Sequence, residues 1–217
     1  VREVADSARL LVFGSISNPK QLYQQIQTLQ PPFDYVFVLD SPSEQAYKER
    51  APIPIYYLHN EKKLEHFPDL NLTLLAKYGV LKLPNLTVAY LVDAADSCHL
   101  PEHHVDILLT RDFPRGFHQF WNKTVDSPWS IGDYAISKLA IALTPRYHFA
   151  LGFHAEIPPF RNGPLITRFI GLAKQGNKDK QKYRYAFVLN PSASEPKDLT
   201  PCPFNTRPSA REQSPRD

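Results

Sequence analysis

Residues 9–30, RLLVFGSISNPKQLYQQIQTLQ, decide the class of fold that this chain adopts. The run 9–14 is short, apolar and rich in β-formers, and it ends in Gly-Ser, a pattern typical of a buried strand. Apolar residues then recur at helical spacing through 19–30: Leu22, Tyr23, Ile26 and Leu29. The chain therefore opens with a strand, a loop and a helix.

The same alternation continues along the chain. Residues 34–40 (DYVFVLD) predict a second strand, 43–50 a short helix, and 53–58 (IPIYYL) a third strand. Continuous apolar strands that alternate with helices indicate a sheet covered on both faces, and hence a layered α/β fold. Further strands are expected at 86–92, 105–110, 146–151, 165–174 and 183–189, and a further helix at 131–143. The last two strands, around the turn QGNKDKQ, are expected to form a long antiparallel hairpin.

Composition bounds the class of protein. With 217 residues, 42% of them hydrophobic, the chain is long enough to bury a substantial core. No stretch approaches the roughly 18 unbroken apolar residues of a membrane helix, and the start carries no secretory pattern, so we expect an intracellular protein with no membrane partner. Two distant cysteines, Cys98 and Cys202, indicate free thiols rather than a disulfide framework or a zinc site.

Basic residues concentrate towards the end of the chain. A formal net charge of +3 permits a nucleic-acid partner without arguing for one. Five cations fall within 174–184: Lys174, Lys178, Lys180, Lys182 and Arg184. A solvated turn and a phosphate contact both explain this cluster.

Residues 191–217 differ in composition from residues 1–190. They are rich in proline, serine and charge, and they cannot bury enough apolar surface to offset the chain entropy that ordering would cost. We therefore expect a domain over 1–190 and a flexible tail or linker over 191–217 that a partner could order. Phe204 is the one plausible anchor in this tail.

Polar and charged groups follow several of the predicted strands. The strand ends carry, in order, GSISN, LDSPS, LHNE, LTRDFPRG and LGFHAE. In layered α/β proteins the functional loops lie at the carboxyl ends of the strands. Dinuclear phosphoesterases place metal-binding aspartate, asparagine and histidine residues in a similar succession of loops, because two divalent ions need oxygen and imidazole ligands from several directions.

Three longer stretches make this resemblance specific. They are VDILLTRDFP at 105–114, LTPRYHFA at 143–150, and PFRN with TRFIGLAKQGNKDKQKYRYAF within 159–187. These stretches resemble the amino-terminal domain of the CWF19-like proteins, which are splicing factors related to the RNA lariat debranching enzyme. The resemblance implies a layered, metallophosphoesterase-like β-sandwich flanked by helices. It also implies a nuclear protein that acts in pre-mRNA splicing.

Most of the metal-ligand positions that the resemblance implies hold no ligand. Ser15 and Ser17 stand in the places of aspartate and histidine, and Gly152 stands in the place of a histidine. Arg111 occupies another histidine position, and a guanidinium repels a cation instead of ligating it. The remnant positions are Asp40, Asn60 with His59 as its substitute, and His154. We expect no metal site and no cofactor, and we assign no catalytic residue.

Arginines could bind phosphate at this edge without a metal. Arg111, Arg115, Arg146 and Arg161 are expected on or near the same edge of the sheet, together with His154. Guanidinium groups suit bidentate phosphate contacts. For Arg111, an ion pair with its neighbour Asp112 is the alternative to a phosphate or RNA contact.

These observations predict a module that acts by binding and not by catalysis. The resemblance implies the lariat debranching enzyme, components of the intron-lariat spliceosome, and RNA as partners. Two alternatives stay open. One is an active metal-dependent phosphodiesterase or ribonuclease that uses Asp40, Asn60, His59 and His154 with one metal ion, and the other is a protein-interaction scaffold that does not touch RNA.

Overall fold

The computed structural model describes residues 7–29, 32–100, 103–122, 132–190, 196 and 198–204. Its helices are α1 (Pro19–Thr28) and α2 (Tyr134–Leu143), with short 3₁₀ helices at Glu44–Tyr47, Pro68–Leu70, Ala94–His99 and Phe117–Phe120. Its strands are β1 (Ala8–Phe13), β2 (Tyr35–Val38), β3 (Ile55–Leu58), β4 (Glu65–Phe67), β5 (Leu72–Leu75), β6 (Tyr78–Leu83), β7 (Leu86–Leu91), β8 (Ile107–Thr110), β9 (Tyr147–Gly152), β10 (Ala155–Glu156), β11 (Phe160–Asn162), β12 (Leu165–Ala173) and β13 (Arg184–Leu189).

In the part of the chain that the structure describes, these strands form two mixed sheets. Sheet 1 has the order β13-β1-β2-β3-β5-β4, and β1, β2, β3 and β5 run parallel. Sheet 2 has the order β10-β12-β9-β8-β7-β6, with β7, β8, β9 and β12 parallel and β11 added beside β12. Antiparallel strands flank the parallel strands in both sheets.

The two sheets pack face to face, and a helix covers the outer face of each. Val12 and Phe37 of sheet 1 belong to the same buried cluster as Ile107 and Leu109 of sheet 2. Buried side chains of α1 pack on the outer face of sheet 1, and those of α2 pack on the outer face of sheet 2. Strands covered on both faces are continuously apolar for this reason. The predicted layered α/β sandwich flanked by helices is confirmed.

Local signals explain where α1 begins. The side chain of Asn18 accepts a hydrogen bond from the Gln21 amide at 3.1 Å, which satisfies one of the unpaired amides of the first turn. Pro19 follows at the first helical position, where its fixed φ and missing N–H cost nothing. The apolar residues Leu22, Tyr23 and Ile26 are buried, so the expected helix is present and its predicted buried face is the observed one.

The parallel strands of both sheets end at one edge of the molecule, which we call the carboxyl edge. Ser15, after β1, forms a bridge with Lys174, after β12, so the sheets meet there. Gly14 lies so close to the Ala173 carbonyl oxygen that a Cβ atom at this position would overlap it. Only glycine permits this approach of the two backbones. The opposite side, where the parallel strands begin, is called the amino edge below.

Two sequence-based expectations for secondary structure are wrong. The predicted hairpin of 165–174 and 183–189 does not exist, because β12 pairs with β9, β10 and β11 in sheet 2, whereas β13 pairs with β1 in sheet 1. Both edges of β12 are already occupied, so the chain crosses to the other sheet after the turn. The expected helix at 43–50 is reduced to the 3₁₀ segment Glu44–Tyr47.

Part of the expected flexible tail packs against sheet 2. Thr200 pairs with Phe160 of β11, and its carbonyl oxygen accepts a hydrogen bond from the Arg161 amide at 3.1 Å. Phe204 is 1% exposed and lies against the rings of Phe160 and Phe169 at centroid distances of 5.1 and 6.3 Å. The structure therefore shows the expected anchor at Phe204, while the domain boundary at residue 190 stays a prediction.

Within the described residues, no helix is long and apolar enough to cross a membrane.

Candidate functional site at the carboxyl edge

The guanidinium of Arg111 lies at the centre of the carboxyl edge. Arg111 follows β8 of sheet 2, and its Nη2 reaches across to sheet 1, where it lies 3.2 Å from Oδ1 of Asp40. The same nitrogen donates to Oγ of Ser41 at 2.9 Å and to the carbonyl oxygen of Leu58 at 3.2 Å. Arg111 therefore joins the ends of β2, β3 and β8, and its ion-pair partner is Asp40 rather than the expected Asp112.

The side chains around this ion pair are only partly exposed. The exposed fractions are 23% for Arg111 and 28% for Asp40, so water screens their attraction incompletely. Ser41 extends the polar cluster, because His59 Nδ1 lies 3.1 Å from its hydroxyl oxygen. Nε of Arg111 is buried and has no hydrogen-bond partner among the described residues, which is a cost of this arrangement.

A buried network beneath Arg111 fixes the direction of its loop. The Thr110 hydroxyl donates to the Asp112 carbonyl oxygen at 2.7 Å. It therefore accepts from Nε2 of His148, 2.9 Å away, which identifies the ring nitrogen that carries the proton. His148 is fully buried, and burial lowers its pKa to about 3, so the ring is neutral. This neutral ring packs against Phe169 and Phe204.

The carboxyl group of Asp112, in this loop, is less acidic than usual. Burial raises the pKa of Asp112, and the nearby carboxylates of Asp133 and Asp93 raise it further, whereas Arg111 lowers it by a smaller amount. Asp112 contributes its carbonyl oxygen to the hydrogen bond with Thr110, whereas the guanidinium of Arg111 pairs with the carboxylate of Asp40.

The side chain of Gln175 holds the Ser15–Asn18 loop, where the resemblance implies the first two metal ligands. Ser17 donates from its amide to Oε1 of Gln175 at 3.1 Å, and the Ser17 hydroxyl lies 3.3 Å from the same atom. Gln175 Nε2 donates in turn to Oε1 of Gln21 on α1 at 3.0 Å. The place of an aspartate and a histidine is thus filled by neutral groups that bond to one another.

The His154 loop is arranged for hydrogen bonds within the fold. Nδ1 of His154 lies 3.1 Å from the carbonyl oxygen of Gly171, and because a carbonyl only accepts, Nδ1 carries the proton and Nε2 is the remaining acceptor. The His154 amide donates to Oε1 of Gln181 at 2.9 Å. At Gly152 a Cβ atom would lie 3.1 Å from Phe113 Cε1, so Phe113 occupies the space where a larger side chain would begin.

The side chains present do not fit a divalent metal ion. Within the described residues, no group of three or more His, Cys, Asp and Glu side chains converges on one point. Asp40 is bound to Arg111, and His154 offers a single ring nitrogen. Asn60 is exposed and lines an open cleft of about 640 Å³, in which three lysines (Lys62, Lys63 and Lys77) face three carboxylates (Glu61, Glu65 and Asp93). The fixed charge of the Arg111 guanidinium beside Asp40 repels a cation, and Asn60 and His154 add only neutral donors, so the remnant positions offer too little negative charge for a divalent ion.

Comparison with known proteins places this site in a family. No protein-family model matches the chain. A CWF19-like protein 1 homolog of Caenorhabditis elegans is 32% identical over 91% of this chain and 46% of its own length. The Drosophila melanogaster homolog is 30% identical over 90% of this chain and 48% of its own length, and CWF19-like protein 1 of Xenopus laevis is 30% identical over 78% and 39%. The chain belongs to the CWF19-like family. It spans less than half of the length of these relatives.

This CWF19-like chain divides the expected arginines between two edges. Arg111 and Arg115 follow β8 and lie on the carboxyl side of sheet 2, where the Arg115 amide donates to the Asp133 carbonyl oxygen at 3.1 Å. The expectation that Arg146 and Arg161 share this edge is wrong. Arg146 precedes β9 and donates from Nη2 to the Asn190 carbonyl oxygen at 2.6 Å, and Arg161 on β11 pairs with Ile166 near the start of β12.

Two residues of the CWF19-like site were missed from the sequence. Ser41 bonds to both Arg111 and His59, and it directly follows the predicted remnant Asp40, so the motif LDSPS contained the signal. Gln175 fixes the Ser15–Asn18 loop although 158 positions separate it from Ser17. No local pattern reveals such a contact, because it depends on the strand order that brings β1 beside the end of β12.

Proposed function

We propose that this CWF19-like chain is a non-catalytic, phosphoesterase-like module of a splicing factor, which acts in intron-lariat turnover by binding. Its proposed partners are the lariat debranching enzyme, components of the intron-lariat spliceosome, and RNA, and its proposed location is the nucleus. Family membership supports the role in splicing. One observation carries the non-catalytic part, namely that the Arg111 guanidinium occupies the centre of the carboxyl edge and bonds to Asp40.

Elementary electrostatics explains why Arg111 opposes metal catalysis. A guanidinium stays charged throughout the accessible pH range, so the site cannot become neutral to admit a second cation. A divalent ion about 4 Å from it would be repelled by about 8 kcal/mol at an effective dielectric constant near 20. The carboxylate of Asp40, which could offset this repulsion, is already paired. The edge can therefore hold polar or anionic groups more readily than metal ions.

The decisive experiment measures metal binding and cleavage together. The protein and its Asp40→Ala and His154→Ala variants are titrated with Mn²⁺ by calorimetry, and each is incubated with a branched RNA. The exposed carboxylate variant Asp69→Ala is the matched control. We expect no stoichiometric Mn²⁺ binding and no cleavage in any sample. Stoichiometric binding that Asp40→Ala or His154→Ala abolishes, with metal-dependent cleavage by the unmodified chain, would refute the proposal.

The binding part of the proposal has its own test. The purified chain is mixed with the lariat debranching enzyme, and complex formation is followed by analytical ultracentrifugation. We expect a complex whose formation does not depend on added metal. Absence of a complex with the debranching enzyme would remove that partner from the proposal, whereas the metal titration alone decides the non-catalytic part.

A further inference from the structure

A turn rich in lysine crosses between the sheets at the carboxyl edge. Residues 174–182, KQGNKDKQK, connect the end of β12 to the start of β13, and we call them the lysine turn. Its lysine side chains are all exposed, and Asp179 is its one acidic residue. The turn lies directly beside the candidate site, because Lys174 bridges to Ser15 and the Gln181 side chain holds the amide of His154.

The lysine turn has a defined conformation. Asn177 donates from Nδ2 to the carbonyl oxygens of Lys174 and Gln181, at 2.9 and 3.0 Å, and its Oδ1 accepts from the Gln181 amide at 2.7 Å. Gln175 ties one end of the turn to the loop before α1. Because the backbone is held in place, a ligand that binds the lysines does not have to order the main chain, and this lowers the entropy cost of binding.

Three of the four lysines of the turn form no ion pair within the part of the chain that the structure describes. Lys182 is used within the fold, since its Nζ lies 3.7 Å from Glu156 and 4.2 Å from the ring centroid of Tyr185. Lys174, Lys178 and Lys180 form no ion pair with any residue that the structure describes. The turn therefore presents three exposed lysines that are not used in ion pairs among the described residues, with the single carboxylate of Asp179 between two of them, on an ordered backbone.

We propose that the lysine turn binds the phosphodiester backbone of a single-stranded nucleic acid through Lys174, Lys178 and Lys180. Lysine suits this ligand because phosphate neutralisation needs point charges and little shape recognition. A protein partner fits less well, since the centres of protein interfaces are depleted in lysine and enriched in aromatic residues and arginine. A strand bound along the turn would run past Ser15 and His154. The choice of RNA over DNA rests on the proposed function, whereas the phosphate contact itself does not.

The test compares two triple variants of equal charge. In the first, Lys174, Lys178 and Lys180 are changed to Gln. The control carries Lys48→Gln, Lys82→Gln and Lys138→Gln, three exposed lysines outside the turn. Binding of a labelled oligouridine and a labelled oligothymidine is measured by fluorescence anisotropy across a range of salt concentrations. Melting curves by circular dichroism verify that both variants remain folded.

The expected result is a change in salt dependence. Each lysine that neutralises one phosphate of a single strand contributes about 0.7 to the slope of log affinity against log salt, so the turn variant should lose a slope of about 2. At roughly 0.1 M salt this corresponds to about a hundredfold weaker binding. The control variant should keep the slope of the unmodified chain. Tighter binding of oligouridine than of oligothymidine would identify RNA as the source of the phosphates.

Four outcomes would overturn the proposal. They are an unchanged slope in the turn variant, an equal loss in the control, no binding of either oligonucleotide by the unmodified chain at low salt, and weakened binding of the debranching enzyme with unchanged affinity for nucleic acid. None of these outcomes depends on the result of the metal titration. Failure of the lysine turn is thus distinguishable from failure of the non-catalytic assignment.

Discussion

The ion pair between Arg111 and Asp40 predicts a measurable coupling between the two sheets. At 3.2 Å and an effective dielectric constant near 20, the gross attraction of the two charges is about 5 kcal/mol. Loss of hydration offsets most of it, and partial exposure of both side chains reduces it further, so we expect a net coupling of about 1 to 2 kcal/mol. The change Arg111→Met also removes hydrogen bonds to Ser41 and Leu58. Arg111→Met should lower the free energy of unfolding by about 2 to 3 kcal/mol in total. The loss is not larger because the substitution also removes the buried, unpaired Nε.

A double-mutant cycle measures this coupling. The free energy of unfolding is determined by urea denaturation for the unmodified chain, Arg111→Met, Asp40→Asn and the double variant. The matched control is Lys82→Met, which removes an exposed cation from β6 and should change the free energy by less than about 0.5 kcal/mol. If the two single effects add to within about 0.3 kcal/mol of the double variant, the pair does not join the sheets and the reasoning is refuted.

Three further predictions concern the surroundings of the site. Phe204→Ala should lower the free energy of unfolding by about 3 kcal/mol, limited by the docking energy of the 198–204 segment, and an unfolding midpoint that stays unchanged would show that this segment contributes nothing. Burial lowers the pKa of His148 to about 3 in the folded chain, against 6.5 for an unperturbed ring. The contribution of His148 to the free energy of unfolding should therefore be constant above about pH 6.5 and fall as the pH is lowered towards 3. His148→Gln should flatten the dependence of stability on pH between about pH 5 and 6.5, and equal slopes in the two proteins would contradict a neutral, buried His148. Gly14→Ala should cost about 2 kcal/mol, read from the melting temperature, because its Cβ would overlap the Ala173 carbonyl oxygen, and a tolerated substitution would show that the two strands can separate.

The sequence predicts elements well where local signals agree. The apolar run of β1, the Asn18 cap and the helical spacing of α1 all indicate the same structure, and each is observed. The segment from 65 to 83 yielded no prediction. Its strands β4 and β6 are edge strands with mixed burial, so they lack the continuous apolar pattern of a strand covered on both faces.

Strand pairing could not be read from the sequence. Two consecutive strands separated by a short polar turn usually pair with each other, and this tendency predicted the hairpin of β12 and β13. In the structure both edges of β12 are occupied by strands of sheet 2, and β13 completes the edge of sheet 1. The competition between these partners is a long-range packing effect that no local pattern contains.

The candidate site shows the same division between what is local and what is not. The order of strand ends placed Arg111 at the edge of the sheet, at a position where the resemblance implies a metal ligand. Its partner was expected to be the adjacent Asp112, because sequence distance was the only guide. The structure instead brings in Asp40, which lies in the other sheet. Arg146 illustrates a simpler limit, since it precedes the six residues of β9 and so lies about 20 Å from the edge where that strand ends.

The contacts of Arg111 give a physical account of how a guanidinium can hold the carboxyl edge together where related proteins would use metal ligands. Metal ligands that come from both sheets would hold the carboxyl edge together, so removing the ions alone would leave carboxylates to repel one another across the gap. A guanidinium supplies a permanent positive charge and donors to Asp40, Ser41 and the Leu58 carbonyl oxygen. Gln175 takes a similar role at the Ser17 loop with neutral hydrogen bonds. Because these contacts tie the edge together, the backbone of the lysine turn beside them is also held in place, as the proposed binding of phosphates requires.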